Sequence, residues 1–184
     1  GIEGGYYDNY YLAEFRQYWG YDVAMLNAYN WGFLKGKDAK VNWAERFPYQ
    51  DGLLIWYCDS SMRDNNTSVH PGHGFALPVD AHSKALRIGK TKTLWRNRIQ
   101  SYDSTFGQEA TDSLPLHYNG KLYPVPSLPG VATFDDSLSY WDPANPTGSV
   151  IIPADMGATI TVTGTYPSGG AEYMTVSVTA PALP

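Results

Sequence analysis

Short apolar runs along the chain are separated by turn-forming residues, and the longest of these runs is continuous rather than alternating. Residues 53–58 are apolar throughout and lie between Asp-Gly and Asp-Ser, which predicts a central strand buried on both faces. Residues 6–18 are rich in tyrosine and other β-formers and predict a second strand. A short helix is predicted near residues 22–29, with Asp22 as its N-cap.

The clearest alternation of apolar and polar residues lies near the C-terminus, over residues 159–163 and 173–178. A Pro-Ser-Gly-Gly turn separates the two runs, so they are predicted to pair as a hairpin. The alternation predicts five side chains facing the core: Ile160, Val162, Met174, Val176 and Val178. Asn119-Gly120 is the signature of a second, two-residue hairpin.

Short strands, frequent turns and little helix are typical of an all-β fold. We therefore expect an antiparallel β-sandwich of jelly-roll type. Residues 1–184 are interpreted as a single β-rich domain, since their number suits one hydrophobic core. The first residues, Gly-Ile-Glu-Gly-Gly, resemble an internal boundary, and we expect the chain to be a fragment of a larger protein.

Composition narrows the class of protein. The net charge of −5 argues against a general nucleic-acid binder, and no apolar run approaches the length of a membrane-spanning helix. Cys58, the one cysteine, has no partner for an internal disulfide and is interpreted as a buried small hydrophobe. Abundant Tyr, Trp, Thr and Ser with few lysines favour an exported protein.

The polar segment after residue 58 offers oxygen ligands of the kind that calcium prefers. The candidate ligands are Asp59, Asp64, Asn65 and Asn66. Their spacing is not that of an EF-hand, and Asx turns are the alternative interpretation. His70-Pro71-Gly72-His73 holds two histidines in a turn, which favours a turn over a zinc site because no third ligand follows at a suitable spacing.

Two further features each allow a functional and a structural interpretation. Residues 84–98 contain six of the thirteen basic residues and no acidic residue, which suits either a polyanion-binding surface or an ordinary solvated face. The 15% aromatic content suits either a carbohydrate-binding surface or core packing. No catalytic motif, nucleophile elbow or phosphate-binding loop is present.

Several stretches, in order, resemble one family of secreted bacterial zinc peptidases, the immune inhibitor A family. The similar segments are YLAEFRQ at residues 11–17, DGLLIWYCD at 51–59, DNN at 64–66, HPGHG at 70–74, LPVDA at 77–81 and WRNRIQSYDSTF at 95–106. The resemblance covers about residues 6 to 120, and residues 125–184 are not recognised in the same way.

The resemblance implies the part of such a peptidase that follows its catalytic domain. In the family, zinc is held by an HExxH-type helix, which this chain does not contain, so no catalytic residue can be carried over. The resemblance also implies export, structural calcium, and an upstream catalytic domain as the partner. We therefore expect a non-catalytic accessory domain. The alternatives are a stand-alone carbohydrate- or surface-binding module, and an independent hydrolase using His70, His73 and His82.

Overall fold

The computed structural model describes residues 9–27, 47–90, 93–94, 102–118, 121–153 and 157–180. These residues form ten strands and one 3₁₀ helix. In chain order the elements are β1 (Asn9–Arg16), the 3₁₀ helix (Gly20–Asn27), β2 (Gly52–Asp59), β3 (Ala76–Val79), β4 (Arg87–Ile88), β5 (Thr93–Leu94), β6 (Leu114–Tyr118), β7 (Lys121–Val125), β8 (Thr133–Asp135), β9 (Thr159–Ser168) and β10 (Ala171–Thr179). All described pairings are antiparallel.

Two three-stranded sheets contribute to one hydrophobic core, which confirms the predicted sandwich class. One sheet has the order β1-β2-β3 and the other the order β10-β9-β8. Buried residues from both sheets form a single cluster, in which Phe134 of β8 packs edge-on against Tyr11 of β1 and Phe106. A smaller cluster that contains Ile88, Leu116 and Val125 joins the two-stranded sheets β4-β5 and β6-β7.

The predicted central strand is confirmed. β2 lies between β1 and β3, and six of its eight residues are buried, whereas Trp56 and Asp59 are half-buried. Because both faces of β2 are covered, its sequence is continuously apolar rather than alternating. Cys58 is buried and free, as interpreted from the sequence.

The other predicted elements are found with shifted bounds. The strand predicted over residues 6–18 is observed as β1, and residues 6–8 lie outside the described residues. The helix predicted near 22–29 is a 3₁₀ helix that begins two residues earlier, and residues 28–29 are outside the described part. β6 and β7 pair with Tyr118 opposite Lys121, which confirms the second hairpin, although Asn119-Gly120 themselves are not among the described residues.

One part of the predicted core is wrong, and it lies in the C-terminal hairpin. Ile160 and Val162 are buried as expected, and Met174 is half-buried. Val176 and Val178 stand opposite Val162 and Ile160, so they share the predicted face, but they are exposed. Among the described strands β10 pairs with β9 alone, and the sheet edge extends past the core that would cover these valines.

Candidate functional site

The loop predicted to bind calcium is closed by its own hydrogen bonds. Each of the four candidate ligands accepts a backbone N–H through a side-chain oxygen. The pairs are Asp59 with Ser61 (2.9 Å), Asp64 with Asn66 (2.7 Å), Asn65 with Ala76 (2.8 Å) and Asn66 with Ser68 (3.2 Å). Three of these are Asx turns that reach two residues along the chain. The turn interpretation therefore accounts for this loop, and calcium binding stays a prediction.

The two histidines of the HPGH turn do not act as a pair. The His70 ring contacts the His73 carbonyl oxygen through Nδ1 (2.6 Å) and the Asp64 carboxylate through Nε2 (2.8 Å). These contacts raise the pKa of His70, the His73 carbonyl first, and the amide of Asn66 with His70 lowers the pKa of Asp64. Within the described residues, no group of three His, Cys, Asp or Glu side chains is placed to hold a metal ion.

His82, the third histidine of the hydrolase hypothesis, connects two loops through its ring nitrogens. Its Nδ1 lies 2.7 Å from the carbonyl oxygen of Asp103, and its Nε2 lies 2.9 Å from that of Pro129. Both ring nitrogens are thus used to hold two backbone segments together. His70 and His82 therefore have separate, structural partners.

A pair of buried carboxylates lies next to His82. Asp80 and Asp103 are both 3% exposed, and Asp80 Oδ1 accepts the backbone N–H of His82 at 2.8 Å. Burial, followed by the charge of Asp103, raises the pKa of Asp80 well above its ordinary value. Burial likewise raises the pKa of Asp103 to about 6. We call Asp80 and Asp103 the sealed pair, since the chain itself surrounds both carboxylates.

A cleft of about 630 Å³ opens on the other side of His82, and this is the candidate functional site. Its walls come from the end of β1 and the residues after it, from residues 47–52, from residues 107–112, and from the inner face of β9 and β10. Five aromatic rings line it: Phe15, Tyr18, Phe47, Tyr49 and Tyr102. Four carboxylic acids line it as well: Asp51, Glu109, Asp112 and Glu172.

Close backbone packing shapes the floor of the cleft. Gly52 begins β2, and a Cβ atom at this position would lie 2.8 Å from Cβ of Thr105. Gly130 approaches the carbonyl oxygens of Gln108 and Glu109 so closely that a side chain would collide with them. The Gln50 side chain receives the N–H of Asp112 at 2.9 Å and so joins two walls. Glycine is thus required at two points where strands and loops meet.

A bulge in β9 turns the hairpin face towards the cleft. The pairing steps from Thr175 opposite Gly164 to Val176 opposite Val162, which leaves Thr163 without a partner position. The Thr163 hydroxyl donates to Thr175 Oγ1 at 2.9 Å and fixes the bulge. The extra residue reverses the alternation, so Thr165 lines the cleft together with Val162.

The charged side chains that line the cleft are predominantly acidic. Among its described lining residues there is no lysine or arginine, and His82 is the one other ionisable side chain besides the carboxylic acids and tyrosines. Partial burial, then the charges of Glu172 and Asp112, raises the pKa of Asp51. The charges of Glu172 and Asp112 therefore repel that of Asp51, and the cleft favours a positive charge.

Arg16 lies beside an aromatic wall of the cleft and already has partners. Arg16 NH2 lies 2.7 Å from Glu14 Oε1, and the guanidinium carbon lies 5.9 Å from the centre of the Tyr49 ring. Burial raises the pKa of Tyr18 to about 12, against the opposing effect of Arg16. Arg16 thus sits beside one aromatic wall and faces its own ion-pair partner on β1.

Two groups of apolar side chains are exposed at the surface, and one member of the second group, Leu26, also lines the cleft. Tyr166 and Tyr173 of the C-terminal hairpin stack on each other with ring centres 5.6 Å apart, so they do not form a flat side-by-side platform for a sugar. Trp19 and four residues of the 3₁₀ helix form the second group. These four are Tyr21, Val23, Met25 and Leu26, and we call the group of five the apolar segment.

Sequence comparison identifies the class of protein to which this β-sandwich belongs. The chain matches, over residues 5–169, the family model of the VEG domain of immune inhibitor A-like metallopeptidases. The chain belongs to this family, as the resemblance over residues 6 to 120 implied. The match also takes in most of the C-terminal region that the sequence alone left unassigned.

Two curated relatives show where such a domain occurs. Immune inhibitor A of Bacillus thuringiensis subsp. alesti is 33% identical over 127 residues, which is 67% of this chain and 18% of the relative. The pre-pro-metalloprotease PrtV of Vibrio cholerae serotype O1 is 31% identical over 156 residues, which is 82% of this chain and 16% of the relative. The chain therefore spans less than a fifth of the length of either relative.

Sequence reasoning missed the cleft. The four acids stand at positions 51, 109, 112 and 172, and no local spacing connects them. The basic segment 84–98 is described in part: Lys84, Arg87 and Lys90 are exposed, and Lys92, Arg96 and Arg98 lie outside the described residues. No helix in the described part of the chain is long and apolar enough to cross a membrane.

Proposed function

We propose that the chain is a non-catalytic accessory domain of a larger, exported zinc metallopeptidase. In this role it packs against a catalytic domain that precedes it in the same polypeptide. Membership of the VEG domain family and the small share of each relative that the chain covers support this proposal. Export is supported by the composition and by the resemblance to secreted peptidases. Zinc would belong to the catalytic domain.

The apolar segment is the observation that carries the proposal. Trp19 is 61% exposed and Tyr21 is fully exposed, although both are large aromatic side chains. Every residue from Trp19 to Leu26 is exposed. Large apolar side chains exposed together in one short segment are typical of an interface, since burying them removes apolar surface from water, which is favourable.

The first test separates accessory from catalytic function. The purified chain is incubated with casein in the presence of zinc, and its zinc content is measured by elemental analysis. We expect no cleavage and no stoichiometric zinc. Casein cleavage that a chelator abolishes would overturn the proposal, and the histidines at positions 70, 73 and 82 would be the first to substitute.

The second test addresses docking. In the parent polypeptide, Trp19→Ser with Tyr21→Ser should lower the midpoint of thermal unfolding, because the apolar contact with the catalytic domain is lost. The same pair of changes in the chain alone should leave its midpoint almost unchanged, since these side chains are exposed there.

Tyr166→Ser with Tyr173→Ser is the matched control, because this pair is also aromatic and exposed. The control pair should lower the unfolding midpoint of the parent polypeptide by no more than it lowers the midpoint of the chain alone. Equal effects of the two pairs in the parent would contradict docking through the apolar segment.

A further inference from the structure

The cleft beside His82 has the properties of a site for a positively charged side chain. We propose that it binds the guanidinium group of an arginine within a peptide segment. The inference goes beyond the accessory role and holds whether or not the domain docks on a catalytic domain. Its basis is the cavity, with aromatic rings and carboxylates around the same space.

The size and the lining of the cleft suit one extended side chain with its flanking backbone. Its volume of about 630 Å³ lies within the range of sites that hold small ligands. Phe15, Tyr18 and Tyr49 line the cleft, and a cation over the face of such a ring is attracted by the ring quadrupole. Arg16 already places its guanidinium near the Tyr49 ring, so this wall accepts the contact in the molecule itself.

Charge decides the kind of ligand. Asp51, Asp112 and Glu172 line the cleft, and their mutual repulsion has no compensating lysine or arginine among the described lining residues. A bound cation would relieve this repulsion and bring the pKa of Asp51 back towards its ordinary value. A neutral sugar would stack on the same rings but would leave the repulsion in place.

A guanidinium group suits the combination of aromatic rings and carboxylates in the cleft better than an ammonium group does. A planar guanidinium stacks on an aromatic ring and donates to carboxylates in its own plane at the same time. A lysine ammonium is a compact, strongly hydrated charge and gains less from a half-open aromatic cleft. Among the residues that the structure describes, His82 lines the site and Arg16 lies beside it, and Arg16 is held by Glu14 at 2.7 Å.

The test titrates the chain with an acetylated and amidated glycine–arginine–glycine tripeptide, followed by two-dimensional amide NMR. We expect shifts at the backbone amides of residues 49–52, 107–112 and 172–174. The citrulline tripeptide has the same shape without the charge and should bind at least tenfold more weakly. The lysine tripeptide should fall between the two.

Two variants locate the site. Asp51→Asn and Glu172→Gln each remove one charge of the cleft and should weaken arginine binding by about tenfold. Asp51→Asn also removes a repelled charge, so it should fold at least as well as the parent chain. Asp135→Asn is the matched control: it removes one charge outside the cleft lining and keeps an acceptor for Ser137, so binding should not change.

Three results would overturn the proposal. The first is equal binding of the arginine and citrulline tripeptides. The second is arginine binding that Asp135→Asn weakens as much as Asp51→Asn does, which would indicate attraction by net charge alone. The third is binding of a neutral oligosaccharide at the same amides with no response to Asp51→Asn, which would assign the aromatic rings to a glycan.

Discussion

Two groups of carboxylates in this domain lie on either side of His82 and have opposite surroundings. Asp80 and Asp103, the sealed pair, are buried under the chain, and Asp80 accepts the backbone N–H of His82. Asp51 and Glu172 face the open cleft and repel each other there. In both groups the pKa of an aspartate is raised, with burial as the largest cause.

The two groups of carboxylates differ in whether the protein itself supplies a partner for the carboxylate. In the sealed pair, the Asp80 carboxylate accepts a backbone N–H of the protein itself, so it fixes the loop that carries His82 and, through the His82 ring, contacts Pro129. In the cleft the protein gathers negative charge without adding the opposite charge. A raised pKa alone therefore does not identify a binding site: the partners within hydrogen-bonding distance distinguish a structural acid from one that awaits a ligand.

Removal of Asp80 should produce the largest effect. At pH 5.5, Asp80→Ala should lower the free energy of unfolding by about 2–4 kcal/mol, because the N–H of His82 loses its acceptor inside the protein. Asp80→Asn keeps an acceptor oxygen and should cost less than half as much. Urea unfolding measures both, and equal losses would show that charge rather than the hydrogen bond holds this loop.

The sealed pair should also make stability depend on pH. An acid whose folded-state pKa is raised destabilises the fold as it ionises, so stability falls as pH rises from its unfolded value through its folded value. For Asp103 these values are 3.8 and about 6. Between pH 5 and pH 8 the free energy of unfolding should fall by about 1–2 kcal/mol.

The control for this prediction is Asp103→Asn, which should reduce the slope of the pH profile over that range and leave the part that comes from the burial of Asp80. His70 acts with the same sign, because its raised pKa gives stability that is present below pH 6.5 and lost above it. His70→Gln therefore tests whether part of the slope comes from the exposed turn. A profile that rises with pH in both variants and in the parent chain would contradict the burial of the pair.

Removal of a charge from the cleft should stabilise the domain, and by less than the loss of Asp80 destabilises it. Asp51→Asn should raise the free energy of unfolding by about 0.5 kcal/mol at pH 7, since an exposed like-charge contact costs little. The gain should shrink at high salt, which screens the repulsion. Thermal unfolding at low and high salt measures it, and a salt-independent loss of stability would show that Asp51 has a structural partner.

The loop from Asp59 to Asn66 should give the smallest effect. Its side-chain oxygens already accept backbone hydrogen bonds, so we expect calcium to bind there weakly and to change the unfolding midpoint by no more than about 1 °C. Scanning calorimetry with calcium and with EGTA measures this. A large shift that Asp64→Asn abolishes would establish the predicted calcium site.

Much of the fold could be predicted because its signals are local. The apolar run of β2 and the Asn-Gly turn between β6 and β7 depend on neighbouring residues alone. The exposure of Val176 and Val178 could not be predicted, since alternation gives the face of a strand but not whether anything covers it. The bulge at Thr163 had one local signal, Gly164 within an alternating strand, and sequence analysis did not use it.

The candidate site is the opposite case. Asp51 and Glu172 are 121 positions apart, and their proximity arises from the packing of β2 against the C-terminal hairpin. The acids that did stand out in the sequence, Asp59 and Asp64, are engaged in turns. Clustered acids in a sequence thus indicated local turn formation, whereas the acids of the cleft are collected by tertiary structure.

The bulge at Thr163 has a consequence for how the hairpin tolerates changes in length. Thr163 has no partner position, and the faces of β9 on either side of it are already set by the pairing of Val162 and Thr165. Deletion of Thr163 would leave a regular ladder in which both residues keep their faces. Deletion of Gly164 would have the same result, because Thr163 would then stand opposite Thr175. Deletion of another residue between positions 160 and 166 would reverse the faces of part of the strand, so related domains should lose a residue at the bulge first.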